Sequence, residues 1–144
     1  MNKRICRFSE GMIMLPEGYC ERTLNTLADV RSKQPPVTIS RDSLGNHNSV
    51  EEYIGSQLSI LQKQVKEWKQ DAFEEAILGE HLATGIMITY NFMRPDNVCM
   101  FQKQAIFTLD MENLLIFSLS RIGAITEEDR QRFNDILNSF RFHA

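Results

Sequence analysis

Cysteine is scarce in this 144-residue chain, and its scarcity excludes two kinds of stabilised fold. Cys6, Cys20 and Cys99 are odd in number and far apart. They therefore match neither a disulfide framework nor the paired spacing of a zinc site. We predict reduced thiols and a cytoplasmic protein.

Long hydrophobic runs and clusters of one charge sign are also missing. No window approaches the roughly 18 uninterrupted apolar residues of a membrane span, so we expect no membrane insertion. The opening MNKR is basic, but Arg7, Ser9 and Glu10 interrupt the apolar segment after it, so we expect no signal peptide. The net charge is −3 and no basic stripe occurs, which argues against a nucleic-acid partner.

Recognisable motifs for catalysis and metal binding do not occur in the sequence. His47, His81 and His143 show no metal-ligand spacing. Cys99 and His81 could act as nucleophile and base, but Cys99 begins a strand pattern and is better explained as a small buried hydrophobe. No serine lies in a G-x-S-x-G elbow. We predict that the protein is not an enzyme and uses no metal or other cofactor.

The apolar pattern predicts one domain over residues 1–144, built from strands and two main helices. Ser49 and Glu52 form a capping-box pattern before a helical segment, SVEEYIGSQLSILQKQVKEW (49–68), and Thr126 caps a second helix. Strand patterns with short turns lie between them and predict an antiparallel meander. The fold class is therefore α+β, an antiparallel β-sheet packed with two main helices.

The first helix carries two stripes of side chains at helical spacing. The buried stripe is Val50, Ile54, Leu58, Leu61, Val65 and Trp68. The second stripe beside it is Tyr53, Gln57, Ile60 and Gln64.

Alternation along the meander divides its residues between two sheet faces. We expect one face to pack on the helices through Ile86, Ile88, Tyr90, Phe92, Phe101, Ala105, Phe107, Leu115, Phe117 and Leu119. The other would carry Met87, Thr89, Met93, Met100, Gln102, Gln104, Ile106, Leu114, Ile116 and Ser118. Extended apolar surface usually marks a contact site, and methionine adapts to variable partners. We predict that the helices leave this second face vacant for an apolar partner.

Two glutamines have two possible explanations on pattern alone. Gln57 and Gln104 could be ordinary solvent-facing residues. They could instead be amides inside an apolar groove, where each offers a donor and an acceptor without the desolvation cost of a charge. The pattern leaves both explanations open.

Several short segments together carry a family resemblance: ISRD (39–42), YIGSQL (53–58), QKQVKEW (62–68), FQKQAIF (101–107) and FNDILNSF (133–140). They resemble the Eag-type chaperones of type VI secretion effectors within the DcrB-like group. The resemblance covers nearly the whole chain in order. It implies a Mog1/PsbP-like α/β sandwich and a cytoplasmic homodimer. Such chaperones bind the apolar N-terminal helices of a secreted effector, here of the Rhs/PAAR type, and help to load it onto the secretion spike.

The same resemblance implies a set of partner-binding residues. Family glutamines that hydrogen-bond the client match Gln57 and Gln104. Family groove positions fall on Leu24, Thr38, Val65 and Met100, to which we add Ile39 and Ile106 as groove lining. Thr38 is more polar than the aliphatic residue usual in the family.

Other classes of function stay open on the sequence. A DcrB-like envelope protein would need an export signal or lipobox, and a Mog1-like regulator of a GTPase would be expected to show a charged contact surface. A small hydrolase with an undetected site would respond in a thiol-reactivity or substrate screen.

Overall fold

Nine strands and two helices form residues 4–143, the part of the chain that the computed structural model describes. The strands are β1 Ile5–Phe8, β2 Gly11–Met14, β3 Asn25–Leu27, β4 Val37–Ser43, β5 Lys66–Gln70, β6 Glu74–Leu78, β7 Ala83–Met93, β8 Cys99–Thr108 and β9 Asn113–Ile122. The helices are α1 Val50–Gln62 and α2 Glu127–Asn138. Within this described range, neither helix is both long and apolar enough to cross a membrane.

The main sheet has seven antiparallel strands. Its order is β3-β4-β9-β8-β7-β5, and β6 pairs with the other end of the long strand β7. β7, β8 and β9 form the meander that the sequence predicted. β4 and β5 run in the same direction on opposite sides of this meander, so α1, which connects them, crosses the sheet. β1 and β2 form a separate two-stranded sheet.

Each helix covers a different face of the sheet. The α1 face contributes Ile88, Tyr90, Phe92, Ile106, Leu114 and Ile116 to a core with Tyr53, Ile54 and Leu58 of α1. The α2 face contributes residues such as Ala105, Phe107, Phe117 and Leu119 to a second core with Phe133 and Leu137 of α2. Strands buried on both faces need apolar residues at nearly every position, which explains the apolar parities of VCMFQKQAIF (98–107).

The predicted division of the strands between the two faces is partly wrong. Ala105 pairs with Phe117, so the predicted phase of β8 against β9 is confirmed. Ile88, however, pairs with Gln104, which places Ile86, Ile88, Tyr90 and Phe92 on the same face as the glutamines. Met87, Thr89 and Met93 lie on the opposite, α2 face. The phase between two strands depends on the turn that joins them, and a slip of one residue exchanges the faces.

The prediction of one vacant face and the predicted end of the first helix are also wrong. Both faces carry a helix. α1 ends at Gln62, and the chain turns before Trp68, which belongs to β5 and stacks on Tyr90 with ring centroids 4.8 Å apart. Val65 and Trp68 are spaced as the end of the predicted helical stripe, but the pairing of β5 with β7 overrides that spacing.

A buried carboxylate fixes the start of α2 to the sheet. Asp129 and Thr126 form a capping box, and the Asp129 carboxylate also accepts hydrogen bonds from Arg121 of β9 and from Arg132. Burial by itself would raise the pKa of Asp129. The hydrogen bonds from Thr126 and Arg132 and the charge of Arg121 outweigh this effect, so the pKa lies below its ordinary value. The carboxylate therefore stays ionised where it caps the helix.

Candidate functional site

A cleft lies between α1 and the part of the α1 face that this helix does not cover. Its volume is about 350 Å³. Its lining residues are Ser40, Tyr53, Ile54, Gln57, Leu58, Ile60, Leu61, Gln64, Ile88, Tyr90, Gln104, Ile106 and Ile116. We call it the α1 cleft.

Its helical wall consists of the second stripe that the sequence shows on α1. Tyr53, Gln57, Ile60 and Gln64 all line the cleft. Tyr53 is buried at its base, whereas the other three are exposed toward its opening. The helical spacing of these four residues in the sequence therefore predicts that they share the side of α1 that forms the cleft wall.

Uncharged polar side chains form a row across the sheet floor. Gln104, Ser118 and Thr38 lie side by side on three neighbouring strands, and the apolar Ile88 continues the row on β7. The Gln104 amide nitrogen donates a hydrogen bond of 3.1 Å to the Ser118 hydroxyl. In the next row the Tyr90 hydroxyl donates one of 2.8 Å to the Gln102 carbonyl oxygen. Because the amides are held by neighbouring strands, their positions are determined before any partner binds.

Charge is absent from this face of the three central strands. The register assigns five residues of each of β7, β8 and β9 to the α1 face, and none is Asp, Glu, Lys or Arg. The α2 face of the same strands carries Lys103 and Arg121. The α1 face is therefore the one that an apolar partner can approach without desolvating an ion.

Two tyrosines that line the cleft have raised pKa values. Burial raises the pKa of Tyr53, and its hydroxyl donates a hydrogen bond of 2.6 Å to the Asp42 carboxylate at the end of β4. Burial raises the pKa of Tyr90 to about 12. Asp42 also accepts a hydrogen bond from the Ser43 amide. The nearby negative charge is thus already engaged by the protein itself.

The structure brings three of the eight predicted site residues together. Gln57, Gln104 and Ile106 line the α1 cleft. Val65 and Met100 pack against the edge of the α1-side core, and Thr38 lies half-buried in the polar row of the floor.

Two of the predicted site residues lie elsewhere. Ile39 packs against the α2-side core, so its predicted place in the groove is wrong. The alternation of β4 turns Thr38 and Ser40 toward α1 and therefore turns Ile39 away. Leu24 precedes β3, is 61% exposed and is not part of the cleft lining.

Sequence reasoning missed Ser40, and it assigned Tyr90 to the helix-packed face rather than to the cleft. Tyr90 lies across from Gln102 in the register. Only the pairing register between β7 and β8 shows that Tyr90, a residue of the predicted core, also lines the cleft. Ser40 could have been found from Thr38, because residues two apart on a strand share a face.

Comparisons with known proteins agree with this fold. Residues 10–139 match the family model described as DcrB. The crystal structure of PA94, a Pseudomonas aeruginosa protein of unknown function, is similar with a TM-score of 0.72 and 16% identity, covering 100% of this chain and 99% of that one. The solution structure of the cyanobacterial PsbP protein CyanoP from Synechocystis sp. PCC 6803 is similar with a TM-score of 0.57 and 11% identity, covering 92% and 86%.

These likenesses establish the fold class but carry no site residues across. At such identities a structural likeness shows the fold alone, and it confirms the predicted α+β architecture of Mog1/PsbP type. No curated protein sequence is significantly similar to the chain.

Proposed function

The chain belongs to the DcrB family, and we propose that it is a cytoplasmic chaperone of type VI secretion effectors. It binds the apolar N-terminal helices of an effector of the Rhs/PAAR type, shields them from water and helps to load the effector onto the spike. It acts as a homodimer and by binding alone, without catalysis. The observation that carries the proposal is that Gln57 of the helical wall and Gln104 of the sheet floor line one uncharged cleft.

The neutral floor supports the shielding of an apolar helix. A membrane-spanning helix of about 20 apolar residues is roughly 30 Å long, and covering it contributes about 25 cal/mol per Å² of apolar surface removed from water. A charged floor would offset this gain, because its ions would lose their hydration on binding. The α1 face of β7, β8 and β9 carries no charged side chain.

The size of the cleft indicates how a helix would bind. A helix with its side chains is roughly 10–12 Å wide, so a volume of about 350 Å³ holds side chains from one side of a helix rather than the whole helix. Ser40, Ser118 and Thr38 are short, which lets the backbone of a small-residue helix approach closely. We therefore place the client across the cleft opening, over the half-buried part of β4 and β9.

The two amides supply polar contacts to a mainly apolar client. Gln104 uses its nitrogen on Ser118, and within residues 4–143 its carbonyl oxygen has no hydrogen-bond partner. The exposed side chain of Gln57 makes no hydrogen bond within the same range. Serine, threonine or unpaired backbone groups of the client would bond to these free positions.

Co-purification of an effector segment tests the proposal. The full chain is co-expressed with the apolar N-terminal segment of an effector fused to a soluble reporter. We expect Gln104→Ala and Met100→Asp to lower the amount of co-purified client at least about 10-fold, the equivalent of ~1.4 kcal/mol. Circular dichroism should stay unchanged. Met111→Asp is the control, since Met111 is 91% exposed in the β8–β9 turn and, unlike Met100, does not pack against the α1-side core.

The single tryptophan gives a second readout of the same site. Trp68 stacks on Tyr90, which lines the cleft. Titration with an apolar helical peptide should therefore shift its fluorescence emission in the wild type and not in Gln104→Ala. Equal client retention by the wild type, Gln57→Ala and Gln104→Ala would contradict the chaperone proposal and favour a different protein-binding module of the same family.

A further inference from the structure

A second cavity lies at the end of the sheet face that carries the α1 cleft. Its volume is about 420 Å³. The loop before β4 contributes Lys33 to its lining, and the β7–β8 turn contributes Arg94. Met100 of β8 and Ser120 and Ile122 of β9 also line it. We call this cavity the basic pocket.

A half-buried, uncharged strip connects the α1 cleft with the basic pocket. Gln104 of the cleft and Met100 of the pocket are four residues apart on β8, so they lie on one face at a distance of about 13 Å. A helix of about 20 residues is roughly 30 Å long. A helix that occupies the cleft and follows this strip therefore extends as far as the basic pocket. The residues of the strip are Thr38, Ser40, Met100, Gln102, Gln104, Ser118 and Ser120.

Positive charge is concentrated in the basic pocket. Lys33, Arg94 and Arg121 line it, and among the described residues its lining includes no Asp or Glu. Arg94 pairs with the exposed Asp96 at 2.8 Å, and Arg121 shares the Asp129 carboxylate with a second arginine. The exposed Lys33 ammonium makes no ion pair within residues 4–143. The pocket therefore has cationic groups that can bind an anionic group of a partner.

Acidic side chains of α2 lie on the other side of two of these cations. Glu127 and Glu128 line a separate pocket together with Lys33 and Arg121. Arg94 lines the basic pocket and not that one. The basic pocket consequently keeps its own cation at the end of the strip.

The opposite end of the strip has balanced charges. β4 continues there from Ser40 to Asp42, which lines a cavity with Glu21, Arg22 and Arg41. Two carboxylates and two cations meet at this end. The two ends of the strip therefore differ in charge, and the difference gives the strip a direction.

We propose that the basic pocket sets the direction of the client helix by binding its carboxyl-terminal end and an acidic residue that follows it. The inference rests on the proposed function and adds a chemical requirement to the client. The last carbonyl groups of a helix carry a partial negative charge, and Lys33 and Arg94 can donate hydrogen bonds to them and to a carboxylate. A helix in the opposite direction would place its positive amino-terminal end against the same cations.

Binding of two matched apolar segments to the full chain tests this direction. Both fusions carry the same apolar helix of about 20 residues on a soluble reporter, with Asp-Asp placed either after or before it. We expect the wild type to bind the segment with Asp-Asp after the helix about 5-fold more tightly. High salt should remove this preference, because the charges are exposed to solvent.

Charge reversal in the pocket provides the variants. Lys33→Glu, Arg94→Glu should abolish the preference and should instead bind a segment followed by Lys-Lys more tightly, which also shows that the variant is folded. Lys69→Glu, Arg141→Glu is the matched control, since it makes the same change in net charge at two exposed positions outside both cavities. It should keep the preference of the wild type.

The contrary outcomes separate this inference from the chaperone proposal. Equal binding of both segments by the wild type would overturn the direction and leave the chaperone proposal standing. A double variant of the pocket that keeps the preference of the wild type would likewise overturn it. A wild type that binds neither segment would contradict both proposals.

Discussion

At the scale of single residues, Tyr53 connects the helical wall of the cleft to the edge of the floor. Its ring packs in the α1-side core, and its hydroxyl donates to the Asp42 carboxylate at 2.6 Å. Hydrogen bonds to an ionised group contribute more than neutral ones. The bond therefore holds α1 at a fixed distance from β4, and that distance sets the width of the cleft.

We expect Tyr53→Phe to lower the free energy of unfolding by about 1.5–3 kcal/mol. The ring still fills the core, but Asp42 loses its charge-assisted donor in a half-buried position. Urea unfolding at pH 7, followed by circular dichroism, measures the change. Tyr19→Phe is the matched control, because Tyr19 is 63% exposed and its hydroxyl makes no hydrogen bond within residues 4–143; it should change the stability by less than about 0.5 kcal/mol. Equal effects of the two substitutions would contradict this role of Tyr53.

At the scale of elements, α1 both fills a core and borders the cleft. Its stability therefore decides how well the wall is formed. Ser49 caps it by accepting a hydrogen bond from the Glu52 amide, and Gly55 lies in its middle with open space where a side chain would stand. A glycine in a helix interior costs about 0.5–1 kcal/mol relative to alanine.

Two glycine-to-alanine substitutions should have opposite effects. Gly55→Ala should raise the free energy of unfolding by about 0.5–1 kcal/mol, since nothing obstructs the added methyl group. Gly85→Ala should lower it by more than about 1 kcal/mol, because in β7 the methyl group would overlap the Ile106 carbonyl oxygen and contact Phe107 at 2.7 Å. Paired urea titrations measure both. A destabilised Gly55→Ala would contradict the open space that surrounds this position of α1.

At the scale of the whole molecule, one sheet separates two cores, and the α1-side core contains a buried neutral phenol. Tyr90 is buried in the α1-side core and its pKa is raised to about 12. Its neutral form is therefore favoured by folding. This contribution is complete below the unfolded pKa of about 10 and is lost as pH rises toward the folded value.

The free energy of unfolding should accordingly fall between pH 9 and about 12. Burial lowers the pKa of Lys103, so its contribution to the free energy of unfolding rises with pH, opposite to that of Tyr90. The wild type is therefore compared with Tyr90→Phe, because both proteins contain Lys103. The difference in urea midpoint between these two proteins should narrow or reverse as pH rises, because the variant has no phenol to ionise at that position. A difference that stays constant from pH 8 to pH 11 would contradict a buried, neutral Tyr90.

The sequence by itself determined the local features of this protein. Side-chain periodicity placed Gln57 and Gln104 on a helix and a strand, showed alternation within each strand, and gathered Tyr53, Gln57, Ile60 and Gln64 on one side of α1. Short turns determined the antiparallel meander. These features depend on contacts between residues near in sequence, which a pattern can report.

Only the tertiary structure decided which surfaces meet. The phase of β7 against β8, the end of α1 at Gln62 and the placement of Ile39 on the α2 face all depend on pairing between distant strands. The predicted vacant face became a narrower cleft because α1 crosses the sheet and covers part of it. Strand register and helix docking minimise the exposed apolar area of the whole chain, and no single segment contains that information.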